Sequence, residues 1–276
     1  MQSGGFTPGV AVRLDLGATR VFVKAIKTGH VLAAKYRTEA ATAAALPHDA
    51  PTPDLLWHGE GAGWVVLIFE DVQGSHPDLR PASPDIAATV TALATMGDTL
   101  TPSPLDLPPA SATRGGWLHG WAELAACPPD DLGGWEQRFL PKLAELESLW
   151  IAHADGNTLV HGDIRPDNML ITAHGSVVVV DWAQPCNGAA WQDVTDLIPH
   201  LIMAGNTPQM AEKALLGLPA WTAVPPDVIT SYATAYAGYW SRMSRQPAPA
   251  GVPHLRAYQR QASKAALAWV MYRTGW

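Results

Sequence analysis

The most constraining feature of this sequence is the stretch 159–184, which reads LVHGDIRPDNMLITAHGSVVVVDWAQ. A short apolar run leads into Asp163, and Asn168 follows five positions later. The runs MLI and VVVV then predict two strands joined by the turn AHGS, and the second strand ends at Asp181. A loop followed by such a hairpin would bring Asp163, Asn168 and Asp181 to one edge.

Two carboxylates and one amide at a shared edge are suited to phosphoryl transfer. Mg²⁺ prefers oxygen ligands and bridges nucleotide phosphates, and a further side chain must orient the attacking hydroxyl and accept its proton. The spacing of Asp163, Asn168 and Asp181 matches the Asp, Asn and metal-binding Asp of protein kinases. The alternative is that these residues only cap turns. Their order and spacing together favour the chemical interpretation.

Composition limits the partners that the chain can take. Its 276 residues fit one large domain or two small ones, and 47% of them are hydrophobic, which indicates a globular protein. With 25 acidic and 18 basic residues the net charge is −7, which argues against nucleic acid as a partner. The two cysteines and the absence of a signal peptide or an 18-residue apolar run favour a cytoplasmic protein that does not enter a membrane.

Hydrophobic periodicity divides the chain into a β-rich part and a helical part. A hairpin (9–16 with 21–26), an Ala-rich helix (31–46) and a buried strand (64–69) are predicted first. The turn-rich segment 71–84 predicts a linker, and helices are predicted over 85–100, 136–151 and 255–272, with a long loop over 101–116. The predicted architecture is therefore α+β, with a small lobe over 1–72 and a larger helical lobe over 73–276.

The segment around Asp163 resembles the aminoglycoside-phosphotransferase family, whose fold is kinase-like. That family shows His-Gly-Asp, four residues, Asn, and later a strand ending in Asp-Trp. The matching residues in this chain are His161, Gly162, Asp163, Asn168, Asp181 and Trp182. The resemblance extends over nearly the whole chain and implies a bilobal protein-kinase-like fold.

The resemblance also implies roles for residues of this segment. Asp163 would be the base that orients the acceptor hydroxyl, and Asn168 and Asp181 would hold Mg²⁺. Arg165 would contact a phosphate or the acceptor, or else form a surface ion pair. Among the supporting residues, His161 would stabilise the loop, Asp193 would anchor the loop backbone, and Asp167 would be a solvated carboxylate.

In the small lobe, Lys24 lies within the predicted strand VFVKAI, where a lone charge among apolar residues needs a partner. The family places its nucleotide-binding lysine in such a strand, and Glu39 in the following helix matches the glutamate that pairs with it. The alternative, two unrelated surface charges, is less consistent with the downstream segment.

Further nucleotide contacts follow from the same resemblance. Gly4, Gly5 and Gly9 would belong to the loop that covers the phosphates, and Glu70 and Val72 would bind the base through main-chain atoms. Only three residues precede this loop, so the lobe either lacks one strand or is truncated.

The implied function is transfer of the γ-phosphoryl group of ATP or GTP to a hydroxyl of a small molecule, by a monomer with Mg²⁺. The region 101–135 and the larger lobe's helices would build the acceptor pocket. It contains no dense acidic cluster, so activity on a true aminoglycoside is less favoured than small-molecule kinase activity in general, with an antibiotic, a sugar or a metabolite as the acceptor. The alternatives are a protein kinase, disfavoured because no Ala-Pro-Glu segment follows Asp181, and a non-catalytic kinase-like binding or scaffold protein.

Overall fold

The computed structural model describes residues 9–17, 19–249 and 252–276. It contains a small lobe built on an antiparallel sheet and a larger lobe built mainly of helices. This confirms the predicted α+β, kinase-like architecture.

The small lobe is a four-stranded antiparallel sheet with one helix packed on it. Its elements are β1 (Val10–Asp15), β2 (Arg20–Lys27), α1 (Ala33–Ala45), β3 (Leu55–Gly61) and β4 (Trp64–Glu70). The strand order in the sheet is β1-β2-β4-β3. The predicted hairpin, helix and buried strand are confirmed. Strand β3 was not predicted because it is mostly exposed, so apolar and polar residues do not alternate along it.

The helix and the sheet of the small lobe enclose a core of their own. Ile26 and Leu67 from the central strands pack against Tyr36 and Ala40 of α1, and all four are 5% exposed or less. Burial of each large apolar side chain contributes roughly 1.5–3 kcal/mol. The core therefore fixes α1 against β2, which is the pair of elements that carries Glu39 and Lys24.

The predicted linker is partly built into the larger lobe. Its short strand β5 (Gly74–Ser75) pairs with Thr172 and Ile171. A side chain at Gly74 would lie 2.6 Å from the Ile171 carbonyl oxygen, so only glycine permits this approach. The boundary between lobes near residue 72 stays a prediction.

The larger lobe surrounds a second, larger core. Its strands are β6 (Thr158–Val160), β7 (Met169–Thr172), β8 (Val177–Val179) and β9 (Cys186–Gly188). Its helices are α2 (Pro84–Thr99), α3 (Ala110–Thr113), α4 (Gly120–Ala126), α5 (Gly134–Leu146), α6 (Trp191–Met203), α7 (Pro208–Leu215), α8 (Pro219–Thr222), α9 (Pro226–Ser244) and α10 (Leu255–Thr274).

Three predicted elements of the larger lobe are confirmed and one is shortened. The β7–β8 hairpin forms as the runs MLI and VVVV predict, and α2 and α10 cover the predicted helices. The helix predicted over 136–151 ends at Leu146, and a 3₁₀ turn, Leu149–His153, follows. Within the described part of the chain, no helix is long and apolar enough to cross a membrane.

Candidate active site

The loop that follows β6 is held by a carboxylate from the start of α6. Asp193 accepts hydrogen bonds from the backbone N–H groups of His161 and Gly162, at 2.7 and 3.0 Å. Gly162 has a φ of 76°, in the left-handed region that favours glycine. The predicted anchoring role of Asp193 is confirmed, and the bonds turn the chain sharply just before Asp163.

His161 stabilises the same loop from inside. Its Nδ1 accepts from the Asp163 N–H at 3.2 Å, so the ring hydrogen is on Nε2, which donates to the Val180 carbonyl at 3.0 Å. The ring also makes an edge contact with Trp182. This buried histidine therefore ties the Asp163 loop to the end of β8, in agreement with the predicted supporting role.

Asp163 and Asn168 lie in direct contact. The Asn168 side-chain amide donates to the Asp163 carbonyl at 2.9 Å and to its Oδ2 at 3.2 Å. Asn168 is buried, whereas the Asp163 side chain is 30% exposed. The amide nitrogen thus orients the Asp163 carboxylate, and the amide oxygen of Asn168 faces away from these bonds.

Asp181 stands just after β8 with a φ of 70°, an uncommon conformation for a residue with a side chain. The neighbouring Val180 N–H donates to the Asn168 carbonyl at 2.9 Å, which holds the end of the hairpin against the Asp163 loop. The left-handed turn brings the Asp181 carboxylate to Lys24. The strain, of order 1 kcal/mol, is accepted where the surroundings fix the conformation.

Lys24 joins the two lobes. Its Nζ lies 2.7 and 2.6 Å from the two carboxylate oxygens of Glu39 and 2.9 Å from Oδ1 of Asp181. Burial lowers the pKa of Lys24, but the attraction of both carboxylates outweighs it, so the pKa lies above its ordinary value. Burial raises the pKa of Glu39 to about 7 against the pull of Lys24. For Asp181, burial is outweighed by Lys24, and the pKa falls below its ordinary value.

The two residues predicted to hold Mg²⁺, Asp181 and Asn168, each have a side-chain oxygen available as a ligand. Asp181 uses Oδ1 for Lys24 and keeps Oδ2, and no described residue donates to Oδ1 of Asn168. No cluster of three or more His, Cys, Asp or Glu side chains suited to a metal exists in the described ranges. A cation here would therefore draw its other ligands from nucleotide phosphates and water, which is the usual manner of Mg²⁺ binding.

Arg165 forms an ion pair within the loop. Its Nε and Nη2 donate to the two carboxylate oxygens of Asp167 at 3.0 and 2.5 Å, and its Nε is 3.9 Å from Oδ1 of Asp163. The guanidinium also lies over the Tyr258 ring. The pair is only partly exposed, so the expectation that Asp167 is a solvated carboxylate is wrong, since Arg165 holds it in a bidentate contact.

The segment predicted to bind the base lies along the same cleft. Glu70 donates its backbone N–H to the Asp54 carbonyl at 3.0 Å, and the Val72 carbonyl accepts from Arg13 at 3.3 Å. Arg13 also pairs with Asp71, whose side chain is 2% exposed. Base binding through the Glu70 N–H would have to replace its existing hydrogen bond, whereas the Val72 carbonyl has a second lone pair that can accept another.

Of the three glycines predicted to form the loop that covers the phosphates, the structure describes one. Gly9 lines the cleft, and a side chain there would lie 2.1 Å from the Tyr36 hydroxyl. A larger residue at this position would therefore require the Tyr36 ring to move. Gly4 and Gly5 lie outside the described residues.

A single cleft of about 1450 Å³ connects these groups and is lined by both lobes. Lys24 and Glu39 line its small-lobe side, and Asp163, Asn168 and Asp181 line the facing side. From the region 101–135, which was predicted to help build the acceptor pocket, Trp117 lines the cleft, whereas Trp121 is fully buried in the core.

A model of the phosphotransferase enzyme family known as APH matches residues 3–244, which is most of the chain. The chain belongs to the phosphotransferase enzyme family. No curated protein matches it in sequence.

Solved structures resemble this phosphotransferase over almost its full length. A thermostable mutant of aminoglycoside phosphotransferase APH(4)-Ia, in ternary complex with AMP-PNP and hygromycin B, has a TM-score of 0.63 at 14% identity and covers 99% of this chain and 92% of that chain. Choline kinase LicA from Streptococcus pneumoniae has a TM-score of 0.62 at 17% identity, with 97% and 92% covered. An aminoglycoside phosphotransferase from Alicyclobacillus acidocaldarius has a TM-score of 0.55 at 15% identity, with 98% and 93% covered. At these identities the likeness establishes the fold.

Behind the Asp163 loop, this phosphotransferase contains a buried charge network that the sequence did not predict. Arg114, 1% exposed, donates through Nη2 to Asp196 at 2.7 Å and to the Tyr236 hydroxyl at 2.5 Å. The Tyr232 hydroxyl donates to the other Asp196 oxygen at 2.6 Å. Burial raises the pKa of Asp196 to about 6, against the pull of Arg114. Arg114 lies in a segment that reads as a loop, and no local pattern marks it as buried.

Proposed function

We propose that this phosphotransferase is a Mg²⁺-dependent kinase that transfers the γ-phosphoryl group of ATP or GTP to a hydroxyl of a small molecule. The observation that carries the proposal is the convergence of Lys24, Glu39 and Asp181 opposite the hydrogen-bonded pair of Asp163 and Asn168 in one cleft. The structural neighbour bound to AMP-PNP and hygromycin B supports a nucleotide and a small-molecule acceptor.

On the nucleotide side, Lys24 would bind the α- and β-phosphates while Glu39 holds its ammonium group in place. Gly4, Gly5 and Gly9 would approach the phosphates through backbone N–H groups, and Glu70 and Val72 would contact the base. Asn168 and Asp181 would supply the protein ligands of Mg²⁺, which offsets phosphate charge when it is bound.

On the acceptor side, Asp163 would accept the hydroxyl proton as the hydroxyl oxygen bonds to the γ-phosphorus. The bond between that phosphorus and the β–γ bridging oxygen breaks, and the nucleoside diphosphate leaves with the electron pair. Asn168 keeps the Asp163 carboxylate oriented through its 3.2 Å hydrogen bond. Arg165 lies 3.9 Å from Asp163 and pairs with Asp167.

Substitution of the base tests this proposal. Asp163→Asn keeps the size of the side chain but cannot take a proton, so we expect phosphoryl transfer to a panel of hydroxyl compounds to fall by about 100-fold or more. The variant should still gain thermal stability from ATP or GTP with Mg²⁺. Asp130→Asn, at an exposed position outside the cleft, is the matched control and should keep full activity.

The same measurements separate the kinase from a non-catalytic kinase-like protein. Near-normal transfer by Asp163→Asn would refute the role of Asp163. Stabilisation by nucleotide and Mg²⁺ without transfer to any acceptor would favour a binding or scaffold protein. A melting temperature that no nucleotide changes would overturn the proposal as a whole.

A further inference from the structure

The part of the cleft next to Asp163 is lined by a continuous group of rings, here called the aromatic wall. Trp117 packs edge-on against Tyr239 with ring centroids 4.7 Å apart, and Tyr236 packs against Trp240 at 5.0 Å. The ring of His200 continues the wall from Trp240 to Tyr258. Burial, reinforced by Arg165, lowers the pKa of His200 to about 4, so this ring is neutral at neutral pH. Tyr236, Trp240 and His200 are 7% exposed or less, so an acceptor would meet mainly the half-buried rings of Trp117, Tyr239 and Tyr258, which line the cleft.

The carboxylates beside the aromatic wall are already paired. Asp167 is held by Arg165, and Asp196 is held by Arg114 and Tyr232. Asp163 is the carboxylate with the loosest charged partner, at 3.9 Å, and it is needed at the reacting hydroxyl. An acceptor with several ammonium groups would have to displace these ion pairs to find counter-charges, which costs free energy.

A cation lines the same part of the cleft without a carboxylate partner among the described residues. Arg256 donates through Nε and Nη2 to the Pro247 carbonyl and through Nη1 to the Gln259 side chain. A guanidinium has five N–H hydrogens, so these three bonds leave two for a ligand. Asp163, Tyr239 and Arg256 all line this cleft, which therefore holds a negative and a positive group as well as the rings of the wall.

We infer that the acceptor is a hydroxyl compound that carries a flat apolar ring system and a carboxylate. The ring system packs on the aromatic wall, the carboxylate accepts from Arg256, and the hydroxyl reaches Asp163. This inference rests on the proposed kinase function. The proton and the phosphoryl group move as described above, and the carboxylate only binds.

Three alcohols of matched shape test the inference: para-hydroxymethylbenzoate, para-hydroxymethylbenzylamine and para-methylbenzyl alcohol. Their dissociation constants are measured by isothermal titration at neutral pH, with the non-hydrolysable nucleotide AMP-PNP and Mg²⁺ present. We expect the carboxylate to bind at least about tenfold more tightly than the ammonium compound, because hydrogen bonds to charged groups are strong. Arg256→Gln should remove that preference, whereas Arg260→Gln, exposed on the same helix and outside the cleft, should keep it.

Equal or tighter binding of the ammonium compound would overturn the inference, as would no detectable binding of the carboxylate at millimolar concentration. An unchanged preference in Arg256→Gln would overturn the role of Arg256. These outcomes leave the kinase proposal standing if nucleotide still stabilises the protein and Asp163→Asn still abolishes transfer. Conversely, loss of nucleotide binding would contradict the kinase proposal by itself, whichever alcohol binds.

Discussion

At the scale of single residues, buried ionisable groups beside the cleft tie stability to pH. His200 is 4% exposed, and burial together with Arg165 lowers its pKa to about 4, while Asp167 and a hydrogen bond with the Ile164 backbone act in the opposite direction. An unfolded histidine has a pKa of about 6.5. The folded state therefore binds fewer protons at His200 than the unfolded state between these two pH values, and stability falls as the pH drops through that window.

The contribution of His200 can be measured by substitution. Between pH 7 and pH 5 the histidine should lower the free energy of unfolding by on the order of 2 kcal/mol. The pKa values of Glu39 and Asp196 are raised, so these two carboxyl groups increase the free energy of unfolding as the pH falls. The measurement is therefore the difference between the wild type and His200→Gln in denaturant unfolding, and this difference should shift in favour of the variant on acidification.

A histidine in the exposed turn before β8 provides the control for this measurement. His174→Gln should follow the wild type at both pH values. If the difference between His200→Gln and the wild type does not change with pH, the depressed pKa of His200 is refuted.

At the scale of elements, the closest approach of two helices depends on a pair of glycines. A side chain on Gly120, at the start of α4, would lie 2.1 Å from the carbonyl oxygen of Gly238 in α9. Backbone lies on both sides of this contact, so neither helix can yield by rotating a side chain. The contact seats Trp121 in the core, where its ring nitrogen donates to the Thr234 carbonyl at 2.8 Å.

Gly120→Ala should therefore separate α4 from α9 and lower the free energy of unfolding by about 1–3 kcal/mol, as overpacking does. Gly134→Ala is the matched control, because Gly134 opens α5 and a side chain there meets open space. The control should be neutral or stabilise by up to about 1 kcal/mol. Denaturant unfolding checks both variants, and an equal effect of the two would contradict the packing account.

At the scale of the whole molecule, the two lobes meet through a shared lysine. Lys24 in the small lobe contacts Glu39 of the same lobe and Asp181 of the larger lobe, so the two carboxylates compete for one ammonium group. If Asp181 also binds Mg²⁺, as we propose, Glu39 assists by drawing Lys24 away from it. Removing Glu39 would leave Lys24 to pair with Asp181 alone.

Glu39→Gln should therefore raise the Mg²⁺ concentration needed for half-maximal stabilisation by nucleotide. If the pairing of Lys24 with Asp181 weakens Mg²⁺ binding by about 1 kcal/mol, the Mg²⁺ concentration needed rises roughly fivefold. Glu60→Gln, which removes an exposed ion pair with Arg37, is the control and should leave this concentration unchanged. The measurement is a thermal melt with nucleotide over a Mg²⁺ titration, and an unchanged requirement in Glu39→Gln would rule out the competition.

The features that the sequence determined by itself are local in the chain. Periods of two and of three to four residues predicted the hairpins and the main helices, because neighbouring residues of one strand or helix share a face. The segment from Asp163 to Asp181 lies within one loop and one hairpin, so its geometry follows from nearby turns and strands. The exposed strand β3 was missed because no buried face constrains its residues.

The contacts between distant segments follow only from the packing of the folded chain. The bond from Lys24 to Asp181 spans 157 positions, and the one from Arg114 to Asp196 spans 82. The aromatic wall likewise combines residues from 117 to 258. No short pattern encodes these partners, because a side chain is paired by what packing brings beside it, and that depends on the whole core. The sequence thus determined which groups could do chemistry, and packing decided which of them meet and which charges remain for a ligand.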